Sequence, residues 1–581
     1  MNKITKKICL VLILAIAGIA SASAQRIYAS ELKSASTASG YNLTFTLNAA
    51  ATNVDVILNS TTSSDSFVIP CGAKPIGVNT VSVTSASAPN ITSGAYTWEV
   101  KATGAAITGD GPVKFTDETT NPLLNFYSAH GVAVDNSFDS PYFGRVYVTG
   151  GGASGATGSG RTTGVGIYVL DAALTDVTGQ GDTPWSGNGN VSWVAGNYNS
   201  PCRDYVGSDG TVYIGDWADG NSNVWIMDPA NPGANFNPVF GGTKTSSGLY
   251  QTGDGTNTGG SIIGLCVTGS GDNTKLFTID EDYGNGAAGT NPFGLTKGDN
   301  VLSYNIGGAS LPWMTDPSKV IMDNAAAAAQ YTGNLGTLQY NGNSSISPDG
   351  RGGFFVSQNR NPGGDGQVVP SLIHLNAVTG FGGLISYIID FNSGDPQWGD
   401  TGLLGGSQNA AMAVSNDGSK LAVSYSPSQY KIFDVTYDDS GTPTLTYTDS
   451  VTTQNVGLAF SMAFDAANNL YVITTASTLG GYALPTADNT FTTPAQSSQV
   501  LNFISTGIAT SKAPQLQVSP NPVQDVAHIS GVAVESVKLI DLAGRVIMNQ
   551  KQTSADVNLS GIAAGTYVLF VNNTPVKIVK K

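Results

Sequence analysis

The chain has 581 residues, more than a single core of ordinary size fills, so several domains are expected. Only 12% of residues are charged, the formal net charge is −15, and 72 residues are glycine. An acidic surface repels phosphate backbones and anionic lipid heads, which argues against nucleic acid and membrane-surface partners. Glycine among Thr, Ser, Asn, Val and Tyr describes short strands joined by tight turns, hence an all-β chain.

Lys3, Lys6 and Lys7 precede an apolar stretch from Ile8 to Ala20 and then Ala22-Ser23-Ala24. That order is a secretory signal peptide over residues 1–24, with cleavage expected between Ala24 and Gln25. Its apolar part is shorter than the roughly 20 residues a spanning helix needs, and no later segment comes closer, so no transmembrane helix is expected in the mature form. Loss of residues 1–24 removes three lysines and no acid, taking the net charge to −18. Cys71, Cys202 and Cys266 then remain. An odd count does not suggest a disulfide scaffold. Cys202 and Cys266 read as buried free thiols, with a bridge between them as the alternative.

Residues 25–110 contain short runs alternating apolar and polar positions, such as Tyr41 to Leu47, Val54 to Leu58 and Tyr96 to Val100. Period-two alternation marks half-buried strands. Six or seven such runs resemble an immunoglobulin-like sandwich, although no Cys and Trp pair stands at the usual separation. Gly94 to Val100 resembles the closing strand of Ig-like modules of bacterial surface proteins.

Residues 111–508 repeat one unit: an apolar run, a turn on Asp, Asn or Gly, a second run rich in Tyr and Val, a variable loop, and a third run often ending in Asp. The clearest copies are Asp209 to Ile214 followed by Val224 to Asp228, and Ser415 to Val423 followed by Lys431 to Asp434. Weaker copies begin near Gly131, Gly271, Ser347 and Ala463. A four-stranded sheet cannot bury both faces alone, so such units stack radially, and Asp-Gly supplies the positive φ of a tight hairpin. The expectation is a β-propeller of six blades, with seven as the alternative count, closed by Pro112 to Phe115 pairing with the last blade. The blade pattern is similar to that of NHL and YncE-like propellers.

After a linker at 509–518, Ser519-Pro520-Asn521-Pro522-Val523 is followed by Val537 to Ile547, containing Asp541, Gly544 and Arg545. Gly561 to Val571, containing Gly565 and Tyr567, and a terminal Lys577 to Lys581 complete the section. Read locally, 519–581 is a small strand sandwich with a hairpin turn at Asp541 to Gly544. In order, spacing and position it resembles the type IX secretion C-terminal sorting domain, type A. The resemblance implies export by a Gram-negative bacterium through the type IX machinery to the outer cell surface, commonly with tail removal and attachment to surface lipopolysaccharide.

Motifs of chemistry are sparse: there is no H-E-x-x-H, P-loop, G-x-S-x-G or C-x-x-C, and the histidines are His130, His374 and His528. His374, within Leu372-Ile373-His374-Leu375, reads as a structural strand position. In a propeller the loops leading into each innermost strand share a face with the loops joining strands two and three. That face collects His130, Cys202, Arg203, Asp204, Asp216, Trp217, Asp219, Asp280, Glu281, Asp282, Asn359 and Arg360. Arg203, Asp216, Trp217, Asp219, Asp280, Asp282, Asn359 and Arg360 are the candidate ligand-binding residues. Trp217 could stack on a sugar ring while the acids bond its hydroxyls. Asp280 and Asp282 put hard oxygen donors close together, as calcium prefers, without completing an EF-hand spacing. The leading expectation is a secreted or surface protein binding a glycan or protein through the channel face. The alternatives are a carbohydrate-active or lactonase-like enzyme, with Asp216 and Asp280 the first acid–base candidates, and a structural or adhesion component.

Overall fold

The computed structural model describes residues 24–581 apart from 85–90, 92, 178–180, 192, 194–199, 219–222, 241–249, 252–257, 260, 284–292, 297, 308–318, 326–344, 358–371, 377–386, 390–410, 427–428, 453–458, 504–515 and 553. The chain divides into two compact units, 1–502 and 503–581.

In the first unit, six antiparallel sheets follow one another. Blade one contains Ala129–Val134, Val146–Gly150 and Gly166–Leu170, with Trp185 bridged to Ile167 at its outer edge. Blades two to five start at Arg203, Ile262, Ser345 and Met412, each with four strands in simple up-and-down order. Blade six has Ala459–Phe464, Asn469–Thr474 and Leu479–Ala483, and takes its outermost strand, Val113–Lys114, from before blade one. Each innermost strand lies against that of the next blade, and the sixth returns to the first. The described residues of this unit thus include a six-bladed β-propeller closed by the predicted segment.

Local chemistry explains the blades. Gly210, Gly350 and Gly418, each following Asp, have φ of +83°, +74° and +71°, so the Asp-Gly turns use the left-handed region that glycine enters without a Cβ penalty. Second strands such as Val146–Gly150 and Asn469–Thr474 are buried along their whole length. They read as continuous apolar runs because neighbouring blades cover both faces. Tyr147, Ile167, Val212, Ile214 and Met227 fill the seam between blades one and two. Val132, Val146, Tyr168, Tyr471 and Ile473 fill the closing seam between blades six and one.

The N-terminal region forms two antiparallel sheets. One has Ala29–Thr37, Gly40–Leu47 and Gly77–Thr84; the other centres on Ala51–Ser60 between Ser66–Lys74 and Gly94–Thr103. Tyr96, Trp98, Val100 and Ala102 are buried at every second position, the core face of that last strand. Thr490–Pro494, which follows the last blade, adds to the edge of Gly94–Thr103. The sandwich is joined to the propeller through Arg26, whose N–H donates to Asn469 Oδ1 at 2.8 Å, and through a Glu31–Arg145 ion pair at 2.8 Å.

The second unit has a three-stranded sheet (Gln517–Ser519, Val526–Ser530, Asp556–Asn558) and a four-stranded sheet ordered Val546–Lys551, Ser536–Asp541, Gly565–Val571, Thr574–Lys580. Its core includes Val537, Leu539, Leu569, Val571 and Ile578.

Closure of the ring makes one glycine critical. Phe115 N–H donates to Gly481 O at 2.9 Å, and a Cβ at Gly481 would fall 2.4 Å from the Phe115 ring. Gly481→Val therefore forces the closing strand outward and should cost about 1–3 kcal/mol, read as a lower denaturant midpoint; an unchanged midpoint would mean the closure tolerates the displacement.

Candidate functional site

A cavity of about 700 Å³ runs along the propeller axis and is lined by residues of all six innermost strands. These strands are sheet edges, and some of their backbone groups find partners in the next blade. Val132 N–H donates to Ser461 Oγ at 3.2 Å and Val414 N–H to Ser347 Oγ at 3.4 Å. Small side chains at such positions let the strands approach while leaving the axis open. The lining extends to the hairpin turns after the innermost strands, where Asn136, Ser208 and Asn416 contribute.

Beside the cavity, the seam between blades one and two gathers buried ionisable groups. Arg203 Nη1 donates to the carbonyl of His130 at 3.0 Å. Burial, with Arg203 adding to it, pushes His130 down to about 3, so its ring is neutral; it stands edge-on to Phe460 at 4.7 Å. Asp204 lodges against Gly131, where a Cβ would lie 2.4 Å from both Asp204 Oδ1 and Thr149 Oγ1. Neither carboxyl oxygen of Asp204 has a hydrogen-bond partner among the described residues. Burial raises its pKa well above the usual carboxylate range, with Arg203 opposing only in part. Burial likewise raises the Cys202 thiol, which makes it a poor nucleophile. The seam thus packs His130, Cys202 and Asp204 around the Arg203 guanidinium. Cys202, Cys266 and Cys71 are all free thiols.

Of the candidate ligand-binding residues, Arg203 lines the cavity; Asp216, Trp217, Asp280 and Asp282 do not. Asp216 ends the second strand of blade two, accepting from Ala218 N–H at 2.9 Å and Ser200 Oγ at 2.9 Å. Asp280 holds the same place in blade three, accepting from Asp282 N–H at 2.9 Å and Tyr283 N–H at 3.0 Å. Both carboxylates close turns. The indole N–H of Trp217 donates to Glu281 of the next blade at 2.6 Å, and the ring packs on the cluster between blades three and four. Asp219, Asn359 and Arg360 lie outside the described residues. Among the described residues no three His, Cys, Asp or Glu side chains converge as a metal site, and Asp280 Oδ1 is engaged by its own turn. His374 Nε2 pairs with the Asp349 carboxylate at 2.9 Å inside blade four, a buried link between turn and third strand. Asn136, Ser208 and Asn416 lie in or beside the repeating hairpin turns, the signal that could have marked them in the sequence.

In the C-terminal unit the sorting-motif residues hold the fold's corners. Pro520 and Pro522 follow cis peptide bonds, and between them Asn521 bonds the last strand twice, to Lys577 O and from Val579 N–H, each at 2.9 Å. Asp541 Oδ1 accepts the N–H groups of Ala543 and Arg545 at 2.9 Å, and Arg545 Nε donates to Oδ2 at 2.7 Å, around Gly544 at φ +80°. Gly565 opens the strand in which Tyr567 donates its hydroxyl to Ala563 O at 2.9 Å.

Residues 517–581 match the family model described as the secretion system C-terminal sorting domain. The chain therefore carries a type IX secretion sorting tail on an all-β, propeller-bearing body. Such a tail engages the type IX machinery and directs secretion to the cell surface; no helix among the described residues is long and apolar enough to cross a membrane. No curated protein matches the chain. Among solved structures it is similar to a protein of unknown function from Bacteroides thetaiotaomicron, at 11% identity over 78% of this chain and 98% of that one, TM-score 0.34. It is similar to PorZ, an essential surface component of the type IX secretion system of Porphyromonas gingivalis, at 12% identity over 95% and 70%, TM-score 0.29. The WD40 repeats of RRP9 match at 10% identity over 65% and 99%, TM-score 0.37. These likenesses transfer no residue role.

Asp204 gives the seam a pH signature. An unfolded carboxyl titrates near ~3.9, and the folded one well above that. Its contribution to stability is full below the unfolded value and is lost as pH rises toward the folded one. Asp204→Asn removes that loss, so the variant should gain stability relative to the parent as pH rises above the unfolded carboxyl value in paired denaturant titrations; parallel curves would refute the assignment.

Proposed function

We propose that the protein is a surface-displayed binding protein whose propeller holds a glycan of oligosaccharide size in its central channel. The observation that carries this reading is the axial cavity of about 700 Å³, a volume within the roughly 300–1,000 Å³ range of small-ligand sites. Its inner-strand edges and its rim, with Asn136, Ser208 and Asn416, offer neutral hydrogen-bonding groups suited to sugar hydroxyls. A protein ligand would need a broader face. The enzyme reading based on Asp216 and Asp280 is less favoured, because both carboxylates accept backbone N–H bonds within their turns. Removal of residues 1–24 as a signal peptide and attachment to surface lipopolysaccharide complete the proposed route. The N-terminal sandwich, Ig-like in its strand pattern, stiffens the propeller's closing seam, and the NHL and YncE-like blade pattern suits a binding role.

The test is a glycan array probed with the purified chain. Asn416→Ala with Lys275→Ala, both cavity-lining positions, should weaken binding about tenfold, as loss of one or two hydrogen bonds does. Trp217→Ala should leave it unchanged. Absence of any retained glycan, or a loss confined to Trp217→Ala, would overturn the channel as the site.

A further inference from the structure

We propose that the outer face of the four-stranded sheet in the sorting tail is the surface that docks onto an apolar site of the export machinery. This rests on the tail's assignment as a sorting domain.

The strand Gly565–Val571 contains Tyr567-Val568-Leu569-Phe570-Val571, a continuous apolar run. Tyr567, Leu569 and Val571 face the core, so Val568 and Phe570 point to the other side. Ile540, opposite Val568 on the neighbouring strand, joins them while Leu539 is buried. A strand covered on one face alternates apolar with polar residues, whereas an unbroken apolar run is the mark of one covered on both. Among the described residues of the tail, that second cover is missing, and all three side chains remain partly exposed.

The edge strand extends the same band. Leu539 pairs with Met548 but Ile540 with Val546, so Ile547 is an extra, bulged residue. A bulge re-aims side chains, and here the adjacent residues Val546 and Ile547 are both solvent-facing, at 52% and 41% exposure. Leu542, at 75%, stands on the turn that Asp541 and Arg545 brace. The sheet's other edge is covered, because Val523 N–H donates to Val579 O at 2.7 Å and the Val523 carbonyl accepts from Lys581 N–H at 2.9 Å. Exposed apolar side chains thus concentrate along one edge and face of a unit whose family is defined by being read for export. The occupant with matching chemistry is an apolar groove of the exporter.

The full chain would be expressed in a type IX-competent host, and surface and periplasmic fractions compared. Val546→Thr with Ile547→Lys, and separately Val568→Thr with Phe570→Thr, should each cut surface delivery at least about tenfold, leaving protease-resistant protein in the periplasm. Val526→Thr, an equally exposed valine on the other sheet, should export normally. Normal export of the Val546/Ile547 pair, whose side chains the core does not need, would overturn the proposal, as would a fall in the propeller's own melting temperature, which would make the body of this chain the occupant. Deletion of 517–581 separates the two claims. If that deletion exports normally the sorting assignment fails; if it abolishes export while the face variants pass, only the docking face fails.

Discussion

The whole first unit depends on ring closure. A blade's second strand, such as Asn469–Thr474, is buried on both faces, and neither face can be covered except by another blade. Blade six therefore has to meet blade one, and the chain arranges this by lending blade six the segment Val113–Lys114. Only two residue pairs make the closing ladder, so other contacts must share the work. Phe115 packs edge-on to Tyr471 at 5.8 Å, and Thr116 Oγ1 accepts from Gly481 N–H at 2.9 Å. The N-terminal sandwich reinforces the same place. Tyr28 meets Phe143 of blade one at 5.7 Å, and Arg26 bonds Asn469 and the carbonyl of Leu484 in or beside blade six. The return of Thr490–Pro494 to the sandwich then holds both ends of the propeller in one sheet system.

The acids of the hairpin turns show how burial and hydrogen bonding compete. Asp465 is buried and moves up to about 7, since burial outweighs its bonds from Asn469 and Ala467. Asp135 follows, at about 6, for the same reason. Asp349 moves the other way: burial pushes it up, but the bond from His374 and the N–H groups of Arg351 and Gly353 prevail. Asp417 is lowered too, because it is less buried and Ser415 and Ser419 both donate to it. The first pair contributes stability that is lost as pH rises above the unfolded value, the second stability that is lost as pH falls through the folded one.

The blade pattern was legible in the sequence because its signals are local. Asp-Gly turns and apolar second strands need no knowledge of distant partners, and the sorting tail was legible for the same reason, through its spacing; the Pro112 to Phe115 closure is the one distant pairing the repeat itself implied, since a ring of blades must end where it begins. Partner choice was not legible. Thr490–Pro494 reads as one more strand in the propeller's span, yet it pairs with Gly94–Thr103, nearly 390 residues away in sequence. The acids of the loops were visible as acids, but nothing in Asp216-Trp217 or Asp280-Glu281-Asp282 says that the first carboxylate closes its own turn and the indole spans two blades. Asp-x-x after a buried strand is the sequence of an Asx turn as much as of a ligand set.

That ambiguity bears on where a propeller keeps its function. Asp216 and Asp280 cap the exit from the second strand of blades two and three, a turn-closing role that needs no ligand. A residue that departs from the repeat is more informative. In the register of the blades, the position of Arg203 carries Gly131, Gly264, Ser345 or Ser461 elsewhere and that of Asp204 carries Val132, Leu265, Ile346, Met412 or Met462, whereas blade two carries two ionisable residues side by side. Burying that pair costs more than any small residue would, with Asp204 left unbonded among the described residues and Gly131 required to make room for it. Folding does not require the arrangement, since the other seams do without it. Among the described residues, the seam between blades one and two is therefore where an ionisable pair breaks the propeller's repeat.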